Sequence, residues 1–236
     1  MAGGGSVTEC AVRPGWPLLP GGLRRRAVCT AVCCVVILAA GAVLAAGRSR
    51  AGPLDRGIDQ WIVDHLHTHH NGLKHIADLG NPAPVTALTV LVILGCLAAR
   101  RVNGAVLAVV SVPLASGLTE VVLKPIVGET VGHPAVLSYP SGHTTSVFSL
   151  VAVVIVLLAG PPGGRLPGWL RLTLAVLAFA VGCAVAVSLV GIHYHYFADT
   201  IGGACVATGT VLVVALLLDT PRARVLLDRW PARSAG

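Results

Sequence analysis

Ala27-Val-Cys-Thr-Ala-Val-Cys-Cys-Val-Val-Ile-Leu-Ala-Ala-Gly-Ala-Val-Leu-Ala-Ala46 contains no charged residue. A helix needs about 20 apolar residues to cross the hydrocarbon core of a bilayer, and this run meets that length. It exceeds the roughly 7–15-residue apolar core of a signal peptide. It is therefore read as a first membrane span, with cleavage near Ala45-Ala46-Gly47 as the minor alternative. Five further runs follow, at about Pro84–Ala99, Val102–Leu123, Thr144–Gly160, Leu170–Gly191 and Thr200–Leu218. Gly and Ala are dense in several of them, which suits close helix packing in lipid.

Composition agrees with this reading. Of the 236 residues, 55% are hydrophobic and 11% charged, against about 25% charged in soluble domains. The expected fold is all-α, a six-span transmembrane helix bundle. Residues 54–79 add one amphipathic helix on the outer surface, since Ile58, Trp61, Ile62, His65 and Leu66 recur at helical spacing. Residues 1–23 are rich in Gly and Pro and read as a disordered cytoplasmic tail. Residues 24–219 form the membrane domain, and residues 220–236 a basic cytoplasmic tail.

Lys and Arg orient the bundle. Six spans put both termini on one side. That side receives Arg13, Arg24, Arg25, Arg26, Arg100, Arg101, Arg165, Arg171, Arg222, Arg224, Arg229 and Arg233, twelve of the 17 cations. Arg48, Arg50, Arg56, Lys74 and Lys124 fall on the other. By the positive-inside rule both termini are cytoplasmic, in a protein of the plasma membrane. The net charge of +7 is thus mainly a topological signal. No clustered basic surface argues for nucleic acid.

The same map puts all nine histidines in outer segments or at their edges. His65, His67, His69, His70 and His75 read as interfacial polar residues. A metal site at His67, His69 and His70 is the weaker alternative, because no carboxylate or Cys ligand completes it. Six of the seven cysteines, Cys29, Cys33, Cys34, Cys96, Cys183 and Cys205, lie within or at the ends of the spans and read as small packing residues, and Cys10 is in the cytoplasmic tail.

Two outer segments carry chemistry. One runs Lys124-Pro-Ile-Val-Gly-Glu-Thr-Val-Gly-His-Pro-Ala-Val-Leu-Ser-Tyr-Pro-Ser-Gly-His143, the other Ser188-Leu-Val-Gly-Ile-His-Tyr-His-Tyr-Phe-Ala-Asp199. Ser141 stands where it can cap the following span. Gly142 leaves room for a ligand at the backbone, and the free N–H groups of the first helical turn form an anion site. His143 is placed there as a proton donor. The plainer alternative is a capped helix with an exposed His. His195 and Asp199 lie four apart and so share a helix face. A carboxylate there can hold one ring nitrogen and leave the other free to attack. The alternative is a helix-capping Asp beside an interfacial His.

Together these segments resemble the type 2 phosphatidic acid phosphatase superfamily, whose pattern is K-x6-R-P, then P-S-G-H, then S-R-x5-H-x3-D. Lys124, Pro140 to His143, Ser188, His195 and Asp199 match it, and the resemblance covers about Leu54 to Leu218. It implies a membrane phosphatase acting on a lipid-linked phosphate monoester or diphosphate, of phosphatidic acid or polyprenyl type, without a metal or other cofactor. His195 would attack phosphorus and form a phosphohistidine, Asp199 would orient it, and His143 would protonate the leaving oxygen. Lys124, Ser141, Gly142 and Ser188 would bind the substrate phosphate, with the Ser141, Gly142 and His143 backbone N–H groups among the donors. The expected partners are the lipid phosphate and the bilayer.

The chain departs from the pattern at both arginines, with Val131 in the first position and Leu189 in the second. Glu129 adds a negative group near the expected phosphate site. Arg48, Arg50, Arg56, His133 and His193 are the candidates to replace the lost charge. Two alternatives stand beside the enzyme. One is a catalytically weak or inactive relative that binds lipid phosphate. The other is a small membrane transporter or scaffold, for which Glu120 is the one candidate intramembrane ionisable residue.

Overall fold

A computed structural model describes residues 17–131, 136–160 and 166–228. It is helical apart from one small hairpin. Helix α1 spans Gly21–Ala45, α2 Pro53–Leu66, α3 His70–Ala77, α4 Pro82–Ala98 and α5 Val102–Gly117. A π-helical segment, Leu118–Leu123, carries α5 into α6, Lys124–Val127. Strands β1, Thr130–Val131, and β2, Val136–Leu137, pair antiparallel, with Val131 opposite Val136. Then come α7, Gly142–Ala159, α8, Gly168–Gly191, α9, Phe197–Leu218, and α10, Pro221–Asp228.

Among the described residues, five helices are long and apolar enough to cross a membrane: α1, the continuous Val102–Val127, α7, α8 and α9. The sixth expected span, α4, passes that test only with His70–Gly80 before it, to which it is bent by 52°. Two features differ from expectation. The surface helix over 54–79 is two helices, α2 and α3, separated by a 3-10 turn at His67–His69. Its buried side also differs: Trp61 is 62% exposed while Asp55 is 7% and Ile62 5% exposed. Asp55, Asp59 and Ile62 follow i, i+4, i+7 and share one face, and that face meets the bundle.

The core lies where α9 packs on α1, α5 and α7. Leu107, Val153, Val185, Leu189 and Val211 are essentially inaccessible there. One end of the bundle holds both ends of the described chain. Asp219, the C-cap of α9, accepts from the Leu18 and Leu19 N–H groups at 2.8 Å each and pairs with Arg224 at 3.2 Å and Arg24 at 3.7 Å. A carboxylate at a helix C-terminus opposes the dipole, and these two N–H donors and two guanidinium charges offset that. The final part of the expected N-terminal tail is thus packed, with Leu18 and Leu19 buried, while residues 1–16 lie outside the described ones. At the same end Arg101 and Arg171 donate to Leu157, Leu158 and Gly160 carbonyls, which close the C-terminus of α7.

The opposite end is organised by Tyr139, 1% exposed. Its ring sits between α1 and α9, and its hydroxyl donates to the Leu38 carbonyl at 2.9 Å. A Cβ at Gly202 would stand 2.7 Å from the ring, so the small residue on α9 is what admits it. The Tyr139–Pro140 peptide is cis. The chain then enters α7 against α9, where the Ser141 N–H bonds the Asp199 carbonyl at 3.0 Å.

Candidate active site

His195 closes a short loop between α8 and α9. The loop curls back on the end of α8: the Tyr194 and His195 N–H groups both donate to the Leu189 carbonyl, at 2.9 and 3.4 Å. His193 takes a left-handed φ of 60°, a conformation that costs a non-glycine residue energy and tends to occur at functional loops. The following helix start is held from outside. The Ala198 N–H donates to Asp55 Oδ1 at 2.9 Å and the Phe197 N–H to Asp59 Oδ1 at 3.1 Å. Asp199 closes the same turn by accepting the Tyr196 N–H at 3.0 Å. Three carboxylates therefore take the first donors of α9, which have no intrahelical partners.

The imidazole of His195 is 6% exposed. Its Nδ1 lies 3.2 Å from Asp199 Oδ2 and 3.1 Å from Ser138 Oγ, and Ser138 also donates to Asp199 Oδ2. With Nδ1 so engaged, Nε2 is the nitrogen left for chemistry. His143 stands at the start of α7, its ring centroid 6.3 Å from that of His195. That gap is too wide for a hydrogen bond between the two rings. Asn81 Nδ2 donates to Asp78 at 3.1 Å, so its Oδ1 is turned to accept from His143 Nε2 at 3.0 Å. Tyr194 packs edge-on against both imidazoles, with centroids 5.5 Å from each.

Lys124 follows the π-helical segment, a distortion found disproportionately at functional sites. Its Nζ donates to both Glu120 carboxylate oxygens, at 2.8 and 2.9 Å. Glu120 reaches from there to the backbone of Gly142, where any Cβ would collide with Oε1. The carboxylate thus sits between the lysine and the N-terminus of α7, the place that charge and free N–H groups prepare for an anion.

Lys124, Gly142, His143, His193 and His195 all line one cavity of about 870 Å³. It continues between α4, α5 and α7 along Val85, Val90, Ile93, Val109 and Val112. Several expected residues are placed otherwise. Ser141 is fully buried; its Oγ accepts the Thr144 N–H at 3.3 Å, and its own N–H is spent on Asp199. It caps α7 and leaves the Gly142 and His143 N–H groups as the open donors. Ser188 is turned from the cavity and donates to the Ala184 carbonyl at 2.7 Å, because at that register α8 faces the core. Neither Ser141 nor Ser188, both expected at the phosphate, is among the residues lining the cavity. Leu189, in the second arginine position, is 1% exposed in the core, whereas Val131 does line the cavity.

Glu129, expected near the phosphate site, is turned away from the cavity. It is 4% exposed and lies behind Asp199, while Glu120 occupies the lysine. Of the replacement cations, Arg48, Arg50 and Arg56 do not line the cavity, His193 does, and His133 lies outside the described residues. Asn81, Ser138, Tyr194, Asp55 and Asp59 were not singled out from sequence. The i, i+4 spacing of Asp55 and Asp59 and the Asn81-Pro82 helix-start signature were the available signals.

A polytopic bundle with an imidazole pair and a lysine at the mouth of an apolar cavity places this chain among the membrane-embedded α-helical proteins. Residues 104–222 match the model of the PAP2 superfamily, half of the chain, and the protein belongs to that superfamily. The fold is similar to that of a transmembrane PAP2-type phosphatidylglycerolphosphate phosphatase from Bacillus subtilis, with a TM-score of 0.64 and 16% identity over 80% of this chain and 95% of that one. A search of curated proteins found no match.

Proposed function

We propose that the protein is a phosphatase of lipid-linked phosphates that works through a phosphohistidine on His195. The observation that carries this is the continuity of the cavity: imidazoles, Lys124 and the α7 N-terminus at one end, apolar side chains from α4 and α5 along its length. A phosphate on an acyl or prenyl chain has that same division.

In this reaction His195 Nε2 forms a bond to phosphorus as the bond to the leaving oxygen breaks. His143 gives that oxygen its proton. A water then loses a proton to His143, attacks phosphorus and releases phosphate and free His195. Asp199 and Ser138 hold the His195 tautomer and support the charge that develops on the ring. Lys124 and the Gly142 and His143 N–H groups hold the phosphoryl oxygens in place of a metal, as fixed donors aimed at developing charge. Glu120 must leave Lys124 for phosphate to enter. The charge bias of the chain supports cytoplasmic termini and a site opening on the outer face of the plasma membrane.

The test is phosphate release by detergent-purified protein from a panel of phosphatidic acid, phosphatidylglycerol phosphate and polyprenyl phosphates and diphosphates, with glycerol phosphate as the chain-free control. Release from at least one lipid, and much less from the control, is expected. No release from any member overturns the proposal. A single Cys on the Arg48–Gly52 loop should be labelled from outside intact cells; labelling only after permeabilisation would reverse the orientation.

A further inference from the structure

Two buried carboxyl groups meet behind the reactive histidine, and only one belongs to the proposed reaction. Gly128 ends α6 with a left-handed φ of 65° and turns the chain so that Glu129 enters the protein. The Ser138 N–H donates to the Glu129 carbonyl at 2.9 Å, which extends the pairing of β1 and β2 by one step. That register brings Glu129 and Ser138 to Asp199 from the same hairpin. Ser138 meets Oδ2, the oxygen that also receives His195 and the Tyr196 N–H. Oδ1 of Asp199 and Oε2 of Glu129 are both fully buried and find no donor among the described residues. The two side chains lie within hydrogen-bonding reach of each other.

We propose that Glu129 is a protonated carboxylic acid that donates its proton to Asp199 Oδ1, and so acts as a positioning residue for His195. Resting on the function proposed above, it completes the support of the nucleophile from behind. Two adjacent buried carboxylates cannot both ionise at moderate cost, and an orphaned buried oxygen on each is expensive. One shared proton removes both problems. Burial first, then the hydrogen bond and charge of Asp199, then Asp55, push the Glu129 carboxyl up to about 9, against a smaller pull from Arg48. Among the described residues, the charged groups acting on it are Asp199 on α9, Asp55 on α2 and Arg48 on the loop after α1, whose carbonyl also takes the Thr130 N–H at 2.9 Å, and the titratable Tyr139 and Tyr196 hydroxyls lie nearby as well.

The consequence is electrostatic. A neutral Glu129 satisfies Asp199 without adding charge, so the field at His195 is that of one carboxylate. An ionised Glu129 would add a second, favour the imidazolium and withdraw the lone pair that attacks phosphorus. The position therefore needs a neutral donor, and glutamine supplies one of nearly the same shape.

Infrared spectroscopy of the full-length protein in detergent tests the pairing without turnover. At pH 7 the wild type should show the carbonyl stretch of a protonated carboxylic acid. That band should be absent from Glu129→Gln and fade in the wild type as pH rises through about 9. Asp59 contributes a similar band only below about pH 6, so the two are separable. In the phosphate-release assay Glu129→Gln should stay within about threefold of the wild-type kcat. Glu129→Ala should lose about ten- to a hundredfold in kcat with KM little changed, as for a lost hydrogen bond to a charged group. A wild type without a Glu129-dependent band, or a Gln variant as impaired as Ala, overturns the proposal. If no lipid is hydrolysed the proposed function falls, and the band still decides the pairing.

Discussion

His195 Nδ1 lies 3.2 Å from Asp199 Oδ2, one helical turn away across the start of α9. Neither residue is placed by this contact alone. Asp199 is fixed by Ser138 and the Tyr196 N–H, and His195 by the loop that folds onto Leu189. Asp199→Asn keeps the shape and removes the charge. It should lower kcat by roughly a thousandfold or more while KM and the melting temperature change little. Activity within tenfold of wild type would mean that Asp199 only caps α9.

Ser138→Ala removes a hydroxyl that donates to Asp199 and lies 3.1 Å from His195 Nδ1 as an acceptor. The expected loss in kcat is about tenfold, the scale of one hydrogen bond to a charged group, again with KM preserved. Steady-state kinetics check this, and a change confined to KM would place Ser138 in substrate binding instead.

Lys124 should be limited by its own neighbour. Glu120 holds its ammonium through both carboxylate oxygens, so incoming phosphate competes with it. Glu120→Gln should lower KM for a lipid phosphate about three- to tenfold, and Lys124→Ala should raise KM by more than tenfold, magnitudes set by charge-assisted contacts in a partly solvated site. KM measured across salt concentrations checks the charge origin. A rise in KM for Glu120→Gln would show that the carboxylate orients the lysine for substrate and does not obstruct it.

Asp59 supplies a pH signature. Burial, with help from Asp55 and Asp199, pushes its carboxyl up to about 6, against the pull of the Phe197 N–H. The folded state therefore binds this proton more tightly than the unfolded state. Its contribution to stability is complete below the unfolded value of 3.8 and is lost as pH rises through about 6. Asp59→Asn keeps an acceptor for Phe197 without the charge. Its melting temperature should exceed that of the wild type at pH 7.5 and match it at pH 4. Asp55→Ala, which strips the Ala198 and Gly52 N–H groups of their acceptor, should lower both stability and kcat.

Much of the bundle was legible because lipid imposes a simple code. Spans must be long and apolar, and α1, α5 with its extension, α7, α8 and α9 obey it. The imidazoles, Lys124 and Asp199 were legible because their spacings match a known pattern. What escaped was set by tertiary register. Ser188 has the right residue type, yet α8 turns its hydroxyl to Ala184. Leu189 fills the second arginine position, but its side chain is in the core. Leu189→Arg would bury an unpaired charge there, so loss of folding is expected and not recovered phosphate binding. Asp55 and Asp59 interrupt an apolar helix face, so hydrophobic periodicity points away from them. Their value exists only once the start of α9 lies against α2. For Glu129 the sequence gives proximity to the site but no direction, because the side chain follows a left-handed glycine.

Phosphate release from a lipid phosphate by wild type and His195→Ala, purified side by side and matched in melting temperature, is the decisive measurement. Turnover by the wild type and none by the variant is the expected result. Equal release from both, or none from a wild type challenged with the whole lipid panel, would contradict nucleophilic attack by His195.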